Sequence, residues 1–183
     1  MQKYQIIYAD PPWPINWKPN KQLGIKPLEY PVMPVVEISL LSIRNIREDN
    51  SRLFLWTTNG FLPEALGIVR AWGFHFDKLW TWCKPTGAGG HPRMATEHCI
   101  EAGCGGVPKA LTVHSPATNN WFQAPTSRHS KKPNNVRQFI ELCYPFASKI
   151  ELFARDKHEG WDVWGNEVES DESITKALTG QAG

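Results

Sequence analysis

Short apolar runs recur along the chain and suit buried strands. They are rich in β-branched and aromatic residues, and Gly, Pro, Asn or Asp residues follow several of them closely. Because alternation is weak within them, we expect both faces of the sheet to be covered. The predicted strands are Ile6–Ala9, Leu53–Trp56, Phe74–Trp82, Thr96–Ala102 and Lys149–Phe153.

Between these runs, apolar residues recur at helical spacing. One helix begins at Pro34 and ends near Arg44, another runs from Pro63 to Gly73, and Asn134 or Asn135 caps a third. The predicted apolar faces are Val36, Leu40 and Ile43; Leu66, Val69 and Trp72; and Val136, Phe139, Ile140 and Cys143. Strands that alternate with helices predict an α/β fold, in which a doubly wound, mostly parallel sheet carries helices on both faces.

Four segments lack periodicity. Residues 14–33 are predicted to form a long loop after the first strand, and a loop of this length is typical of a lid or binding segment. Residues 84–96 are polar and Gly-rich, and residues 103–132 are expected to be a long loop that contacts substrate. Residues 169–183 are predicted to be a flexible tail. We divide the single domain 1–168 into a catalytic strand and loop (5–34), recognition loops (84–132) and a third part (132–167).

The composition is that of a globular domain without metal or membrane signals. Hydrophobic residues make up 41% and charged residues 21% of the chain. The four cysteines lack paired spacing and are interpreted as reduced thiols, and a zinc site using His98 has poor spacing. No apolar stretch is long enough to span a membrane and no signal peptide is evident, so we expect a cytoplasmic protein.

Charge and aromatic content restrict how nucleic acid could bind. The net charge is only +2, so contacts would come from local basic patches rather than from a global field. Nine tryptophans could dock flat rings or fill the core, and we expect the core for Trp56 and Trp80. The basic candidates are Lys18, Lys21 and Lys26 in one loop, and Arg128, His129, Lys131, Lys132 and Arg137 in another.

The chain is organised around Asp10, Pro11, Pro12 and Trp13, which follow the first predicted strand. Proline cannot donate to a sheet ladder and fixes φ, so the chain leaves the sheet in a stiff corner. Carboxyl ends of strands are where ligands bind in open α/β sheets. A carboxylate and a carbonyl can accept hydrogen bonds from an amino group, and an indole can stack on a planar ring. The alternative is a local turn in which Trp13 fills the core.

This corner resembles the catalytic signature of the MT-A70 family of S-adenosylmethionine-dependent adenine N6-methyltransferases. Further matches occur in family order across roughly residues 5 to 168. They are Tyr30, Phe54–Trp56, Trp72–Gly73, Glu97–Cys99, Lys132–Pro133, Lys149–Arg155 and Gly165–Glu167. The resemblance implies a Rossmann-like class I methyltransferase fold and S-adenosylmethionine as the cofactor.

The resemblance also implies roles for individual residues. Asp10, Pro11, Pro12 and Trp13 would be catalytic, and Tyr30 would line the acceptor pocket, although it could equally be a hydrophobic clasp for its loop. Lys18, Arg128 and Lys131 are the candidate substrate contacts from the basic patches, which flank the family motifs. Lys132 would pair with the methionine carboxylate, and Asn166 and Glu167 would hydrogen-bond the ribose. The family commonly has Gln at the position of Glu167. The complete implied cofactor set is Asp10, Lys132, Phe153, Arg155, His158, Asn166 and Glu167.

Several alternatives stay open from the sequence. DNA is favoured over RNA as the acceptor because the chain is short and resembles a bacterial or phage enzyme. A non-catalytic nucleic-acid-binding scaffold would lack residues that this chain keeps, and a cytosine enzyme more often has Ser before the two prolines. A homodimer or a hetero-oligomer with a methyltransferase-like subunit is conceivable. Relatives carry a segment upstream of the catalytic strand, where this sequence has only Met1–Tyr4, so we expect the wall around the cofactor adenine to be missing or replaced.

Overall fold

One mixed sheet forms the centre of the protein. The computed structural model describes residues 2–15, 31–88, 92–106, 118–126 and 131–180. Within these ranges the strands are β1 (Tyr4–Ala9), β2 (Arg47–Thr58), β3 (His75–Ala88), β4 (Met94–Cys104), β5 (Trp121–Gln123), β6 (Lys149–Leu152) and β7 (Asp162–Trp164). They are ordered β5-β3-β4-β2-β1-β6-β7.

The sheet is mostly parallel, with β4 running against its neighbours. β1 pairs in parallel with β2 on one side and with β6 on the other. β4 lies antiparallel between β2 and β3. From β1 the chain first builds the β2 side of the sheet and later returns to build the β6 side. The carboxyl ends of β1 and β6 therefore form a topological switch point, where open α/β sheets bind ligands.

Helices cover both faces of this sheet, as the sequence predicted. They are α1 (Val35–Leu40), α2 (Leu62–Ala71), α3 (Asn135–Cys143) and α4 (Glu172–Thr179). Ile38, Ile68 and Leu178 place α1, α2 and α4 in one apolar core. α3 contributes Val136 and Ile140 to the core on the opposite face. Trp56 and Trp80 are buried in this second core, which confirms their expected role.

The first helix is shorter than predicted. α1 ends at Leu40 because Leu41 is extended, with φ −57° and ψ 128°, and a separate 3-10 turn covers Ile43–Asn45. The predicted apolar face was wrong in part. Val36 and Leu40 are 61% and 72% exposed, whereas Ile38 and Ile43 are fully buried. The break rotates Ile43 out of the helical register that joined it to Leu40.

The polar segment 84–96 is largely strand rather than loop. β3 continues to Ala88 and β4 begins at Met94, with an irregular register between Cys83 and Ala88. Ladder hydrogen bonds join backbone groups and tolerate a polar composition. Gly87 permits the close approach of the two strands, because a Cβ there would lie 2.8 Å from the Cβ of Arg93. The predicted loop 103–132 likewise contains β5, which pairs with β3.

The predicted flexible tail was also wrong, because α4 occupies most of it. The Asp171 carboxylate accepts a hydrogen bond from the Ser173 N–H, and Gly180 ends the helix with φ 67°. Ile174, Ala177 and Leu178 are buried in the first core. Asn45 Nδ2 also donates to the Ala177 carbonyl at 3.0 Å. Packing of this short amphipathic helix against the 3-10 turn orders the segment.

Membrane, thiol and metal signals are weak in the described ranges. No helix there is long and apolar enough to cross a membrane. No disulfide joins the four cysteines, all of which lie in the described ranges. His98 makes contacts through both ring nitrogens, to Thr81 Oγ1 at 3.2 Å and Asn59 Oδ1 at 3.0 Å. Among the described residues, no three His, Cys, Asp or Glu side chains lie close enough to hold a metal ion.

Candidate active site

The Asp-Pro-Pro-Trp corner leaves the sheet at the carboxyl end of β1. Ala9 is opposite Leu152 of β6 in parallel register, so Asp10 and Phe153 leave the sheet side by side. The corner is held by its own backbone, because the Trp13 N–H donates to the Pro11 carbonyl at 2.9 Å. The Met33 N–H donates to the Pro12 carbonyl at 2.8 Å and fastens the corner to the segment before α1. The predicted stiff turn is therefore present.

Trp13 lies in the core and not at the surface of the cleft. Its side chain is 4% exposed, and its ring stacks on Phe61 with centroids 5.4 Å apart. The indole Nε1 donates to the Trp56 carbonyl at 3.1 Å. This burial does not support the prediction that Trp13 stacks on a ligand ring and favours the core-filling alternative. Trp13 anchors the corner to the end of β2 and so fixes the direction of Asp10.

Two adjoining cavities open beside Asp10. The larger has a volume of about 270 Å³ and the smaller about 70 Å³, and both are lined by Asp10, Phe153, Arg155 and Glu167. Of the other candidate residues, the larger cavity adds Lys131, Lys132 and His158, and the smaller adds Pro12 and Asn166. The complete set proposed for the cofactor thus lines these two adjoining cavities, which we call the cleft.

Backbone geometry at the tips of β6 and β7 shapes this cleft. Phe153 has φ 61°, a left-handed conformation that is unusual for a bulky residue and often marks functional sites. Its ring packs edge-on against Trp164, with centroids 5.4 Å apart. Gly165 lies so close to β6 that a Cβ would be 2.3 Å from the Ala154 carbonyl oxygen. The close approach of these tips places Asn166 and Glu167 at the cleft.

An ion pair joins the catalytic candidate Asp10 to Lys132. Lys132 Nζ donates to Asp10 Oδ2 at 2.8 Å. The Asp10 side chain is 29% exposed and the Lys132 side chain is 12% exposed. Burial raises the pKa of the Asp10 carboxyl, and the Lys132 ammonium opposes this rise. Burial lowers the pKa of Lys132, but Asp10 and Glu97 outweigh it, so the pKa is raised. Lys132 therefore stays protonated and supports the ionised form of Asp10.

The sequence did not indicate that Glu97 also reaches this pair. Glu97 Oε2 lies 3.4 Å from Lys132 Nζ, and Glu97 Oε1 forms an ion pair with Lys84. Glu97 belongs to β4, which is separated from β1 by β2 in the sheet. Only the pairing of the strands brings this carboxylate to the corner, although its place in a family motif marked it as notable.

Arg137 and Glu151 form a second pair that the sequence interpretation missed. Arg137 was a candidate for a basic surface patch, but it is 9% exposed, and its Nη2 lies 2.6 Å from Glu151 Oε2. The guanidinium also lies 5.1 Å from the Tyr8 ring centroid and 5.0 Å from that of Trp161. Burial raises the pKa of Glu151, and Arg137 opposes this rise. A carboxylate between Ile150 and Leu152 in a predicted buried strand was the signal, because a buried charge requires a partner.

The rim of the larger cavity carries more exposed charges. Arg155 Nε lies 3.3 Å from Glu167 Oε1, and Lys131 Nζ lies 2.9 Å from Asp156 Oδ2. Burial lowers the pKa of His158, and the Arg137 and Lys131 charges lower it further. His158 is consequently a neutral hydrogen-bonding group at neutral pH.

Several candidate substrate contacts fall outside the described residues. These are Lys18, Tyr30 and Arg128, together with the other basic candidates Lys21, Lys26 and His129.

Comparison with known proteins gives matches over almost the same span as the fold. The sequence model of the MT-A70 family matches residues 4–167, which include β1 through β7. Type II methyltransferase M.MunI of a Mycoplasma species is 30% identical over 185 residues, covering 91% of this chain and 78% of that protein.

Longer eukaryotic proteins match as well. The human N(6)-adenosine-methyltransferase catalytic subunit METTL3 is 27% identical, with 91% of this chain and 28% of that protein covered. An N(6)-adenosine-methyltransferase MT-A70-like protein of Arabidopsis thaliana is 27% identical, with 96% and 25% covered. The chain spans about a quarter of the length of these two relatives.

Proposed function

Because the chain belongs to the MT-A70 family, we propose that it transfers a methyl group from S-adenosylmethionine to the exocyclic N6 amine of adenine in nucleic acid. The observation that carries the proposal is the cleft at the switch point, where Asp10 and the residues of the cofactor set meet. A non-catalytic scaffold would not need a partly buried ion pair at Asp10 together with an adjoining cavity.

The chemistry of the cleft fits the proposed cofactor. S-adenosylmethionine, when bound, supplies a methyl group on a sulfonium that an in-line displacement can transfer without a metal. Its methionine part carries an ammonium and a carboxylate, and the cleft offers Asp10 for the first and Lys132 for the second. Its ribose carries two hydroxyl groups, and Asn166 and Glu167 supply suitable polar partners. Phe153, Arg155 and His158 complete the set around the adenosine part.

Asp10 stabilises the positive charge that grows on the acceptor amine and orients the amine toward the methyl group. The lone pair of an adenine amino nitrogen is delocalised into the ring, so the nitrogen is a weak nucleophile. Hydrogen bonds from the amine to the Asp10 carboxylate and the Pro11 carbonyl favour a pyramidal nitrogen and stabilise its growing positive charge. The Pro11 carbonyl already accepts from Trp13, and a carbonyl oxygen can accept a second hydrogen bond. Trp13 contributes by holding the corner still.

The acceptor base must leave its stack to reach this corner. We assign Tyr30 to the acceptor pocket, and Lys18, Arg128 and Lys131 to contacts with the nucleic acid. We favour DNA over RNA as the acceptor because of how much of each relative is matched. The type II methyltransferase M.MunI is matched over 78% of its length. The Arabidopsis and human relatives, which are named for adenosine, the RNA nucleoside, are matched over only about a quarter of theirs. A single experiment tests both the transfer from S-adenosylmethionine and the choice between DNA and RNA as the acceptor.

The deciding experiment incubates the protein with methyl-labelled S-adenosylmethionine and matched DNA and RNA oligonucleotides, then identifies the modified nucleoside by mass spectrometry. We expect N6-methyladenine in DNA. Asp10→Asn keeps the shape of the side chain but removes its charge, and should lower kcat by about 10²–10³-fold. Asp77→Asn is the matched control, because this half-exposed carboxylate on β3 lines neither cavity.

Three results would contradict the proposal. N4-methylcytosine as the product would replace adenine with cytosine as the acceptor. Methylated RNA with unmodified DNA would reverse the preferred polymer. Full activity of Asp10→Asn, in a protein with wild-type unfolding behaviour, would remove Asp10 from the reaction.

A further inference from the structure

Four charged side chains of alternating sign run from the corner to β3. Asp10 Oδ2 lies 2.8 Å from Lys132 Nζ, and Lys132 Nζ lies 3.4 Å from Glu97 Oε2. Glu97 Oε1 in turn pairs with Lys84 Nζ. We call this set, Asp10–Lys132–Glu97–Lys84, the charge chain. It connects the catalytic candidate with Glu97 of β4 and Lys84 of β3, which both lie in the span 84–132 that the sequence assigned to substrate recognition.

The charge chain lies against aromatic rings and is largely shielded from water. The exposed side-chain fractions of Lys132, Glu97 and Lys84 are 12%, 15% and 20%. Lys132 Nζ lies 5.7 Å from the Trp56 ring centroid, and Lys84 Nζ lies 4.8 Å from that of Trp82. Charges in such surroundings interact strongly, because water and salt screen them poorly. Removal of one charge therefore changes the position of the next.

We propose that Glu97 is a positioning residue for Asp10, which shares Lys132 with Asp10 and thereby leaves the Asp10 carboxylate available to the acceptor amine. Lys84 holds Glu97 in the orientation that this sharing requires. The inference rests on the proposed function, since it assigns Glu97 and Lys84 to the same site.

The physical basis is competition between two carboxylates for one ammonium. Lys132 lies closer to Asp10 than to Glu97 but within ion-pair distance of both. If Glu97 lost its charge, it would no longer compete with Asp10 for Lys132, and the pair between Lys132 and Asp10 would strengthen. An incoming amine would then have to displace a stronger ion pair, and separating two partly buried charges is costly. With Glu97 present, Lys132 can shift toward a second partner as the amine arrives.

The groups that face Asp10 predict opposite effects for the two partners. Burial raises the pKa of Asp10, Lys132 and Arg155 lower it, and Glu97 raises it. Tyr8, Cys99 and Glu151 also lie within electrostatic reach of Asp10. Glu97→Gln removes a negative neighbour and should lower the pKa of Asp10. Lys132→Met removes the positive partner and should raise it.

The experiment compares Glu97→Gln and Lys132→Met with the wild type. The Asp10 carboxyl is titrated in the ligand-free proteins by ¹³C NMR, with its resonance assigned from the Asp10→Asn spectrum. The acid limb of the pH profile of kcat/KM is measured in parallel. Glu97→Gln should move both the titration and the limb to lower pH, and Lys132→Met should move both to higher pH. Glu97→Gln should also lower kcat/KM by about tenfold, the size of a coupling within one ion-pair network.

A matched pair of lysine variants tests the end of the charge chain. Lys84→Met should lower kcat/KM, whereas Lys78→Met should leave it unchanged. Lys78 lies on the same strand and pairs with another β4 glutamate, Glu101, at 3.7 Å, but it lies outside the charge chain. Urea unfolding of each variant separates positioning from general destabilisation.

The proposal is overturned if Glu97→Gln leaves the titration of Asp10 unmoved, or moves it in the same direction as Lys132→Met. Equal effects of Lys84→Met and Lys78→Met would overturn the role of Lys84. If the wild type methylated neither DNA nor RNA, the proposed function would fail, but the NMR titration would still decide whether Glu97 and Lys132 act oppositely on Asp10.

Discussion

Gly165→Ala tests whether the close approach of β6 and β7 builds the cleft. An alanine Cβ at this position would lie 2.3 Å from the Ala154 carbonyl oxygen and 2.7 Å from the Ala154 nitrogen. Both are backbone atoms, which cannot rotate away as a side chain can. The end of β7 must therefore move off the tip of β6, and Asn166 and Glu167 move with it.

The size of the effect follows from these distances. A normal contact requires the gap to open by about 1 Å, and forced overpacking typically costs about 1–3 kcal/mol. The same movement weakens the hydrogen bond from the Ala154 N–H to the Trp164 carbonyl, now 3.0 Å long, which is worth about 1 kcal/mol. We expect the free energy of unfolding to fall by about 2–4 kcal/mol. Displacement of Asn166 and Glu167 should also weaken S-adenosylmethionine binding.

Urea unfolding and calorimetric titration with S-adenosylmethionine measure the two effects separately. Gly67→Ala is the matched control, because Gly67 lies within α2 and a Cβ there meets nothing within 4 Å. It should stabilise the protein by about 0.5–1 kcal/mol, since glycine is unfavourable inside a helix. The reasoning would be refuted if Gly165→Ala unfolded at the wild-type urea midpoint. Normal stability with lost cofactor binding would likewise contradict the proposed backbone clash.

Two further predictions concern α4. Leu178→Ala should lower the free energy of unfolding by about 2–4 kcal/mol, because Leu178 is fully buried. The control Lys176→Ala, at an exposed position, should change it by less than about 0.5 kcal/mol. Equal urea midpoints for both variants would contradict the packing of α4. The Ser173 side chain and N–H lower the pKa of Asp171 in the folded state. The cap therefore contributes its full stabilisation above the unfolded-state pKa near 4, and this stabilisation is lost as the pH falls through the lowered folded-state pKa. Asp171→Ala should therefore reduce stability at neutral pH but converge with the wild type in acid, and a constant difference in urea midpoint across this range would reject the capping role.

The sequence predicted those features that depend on local physical chemistry. Ile6–Ala9 is a strand because Ile6, Ile7 and Tyr8 are β-branched or aromatic, and the two prolines after Asp10 end it wherever the segment is placed. Gly73 ends α2 with φ 82°, as a glycine after a helical stripe predicts. The family motifs then indicated that Lys132, Phe153 and Asn166 belong with Asp10, and these residues do share the cleft.

Two predictions that depended on composition alone failed. The polar segment 84–96 is mostly strand, because pairing with β4 satisfies its backbone whatever its side chains. The acidic and small residues after 168 include α4, whose eight residues carry too short an apolar pattern to compete with the signal for a flexible end. In both places a second segment supplied the stabilisation, which is the adjacent strand for residues 84–88 and the distant 3-10 turn for α4.

The sequence by itself determined five of the seven described strands, the rigid corner after β1 and the identities of the charged groups. Only the tertiary structure decided that Trp13 faces the core, that Arg137 pairs with Glu151, and that Lys132 lies between Asp10 and Glu97. The physical reason is that torsional preferences act within a few residues, whereas the environment of a charge or a ring depends on strand order and register. Asp10 and Glu97 are 87 positions apart in the chain, and the folded sheet brings both within 4 Å of the same ammonium.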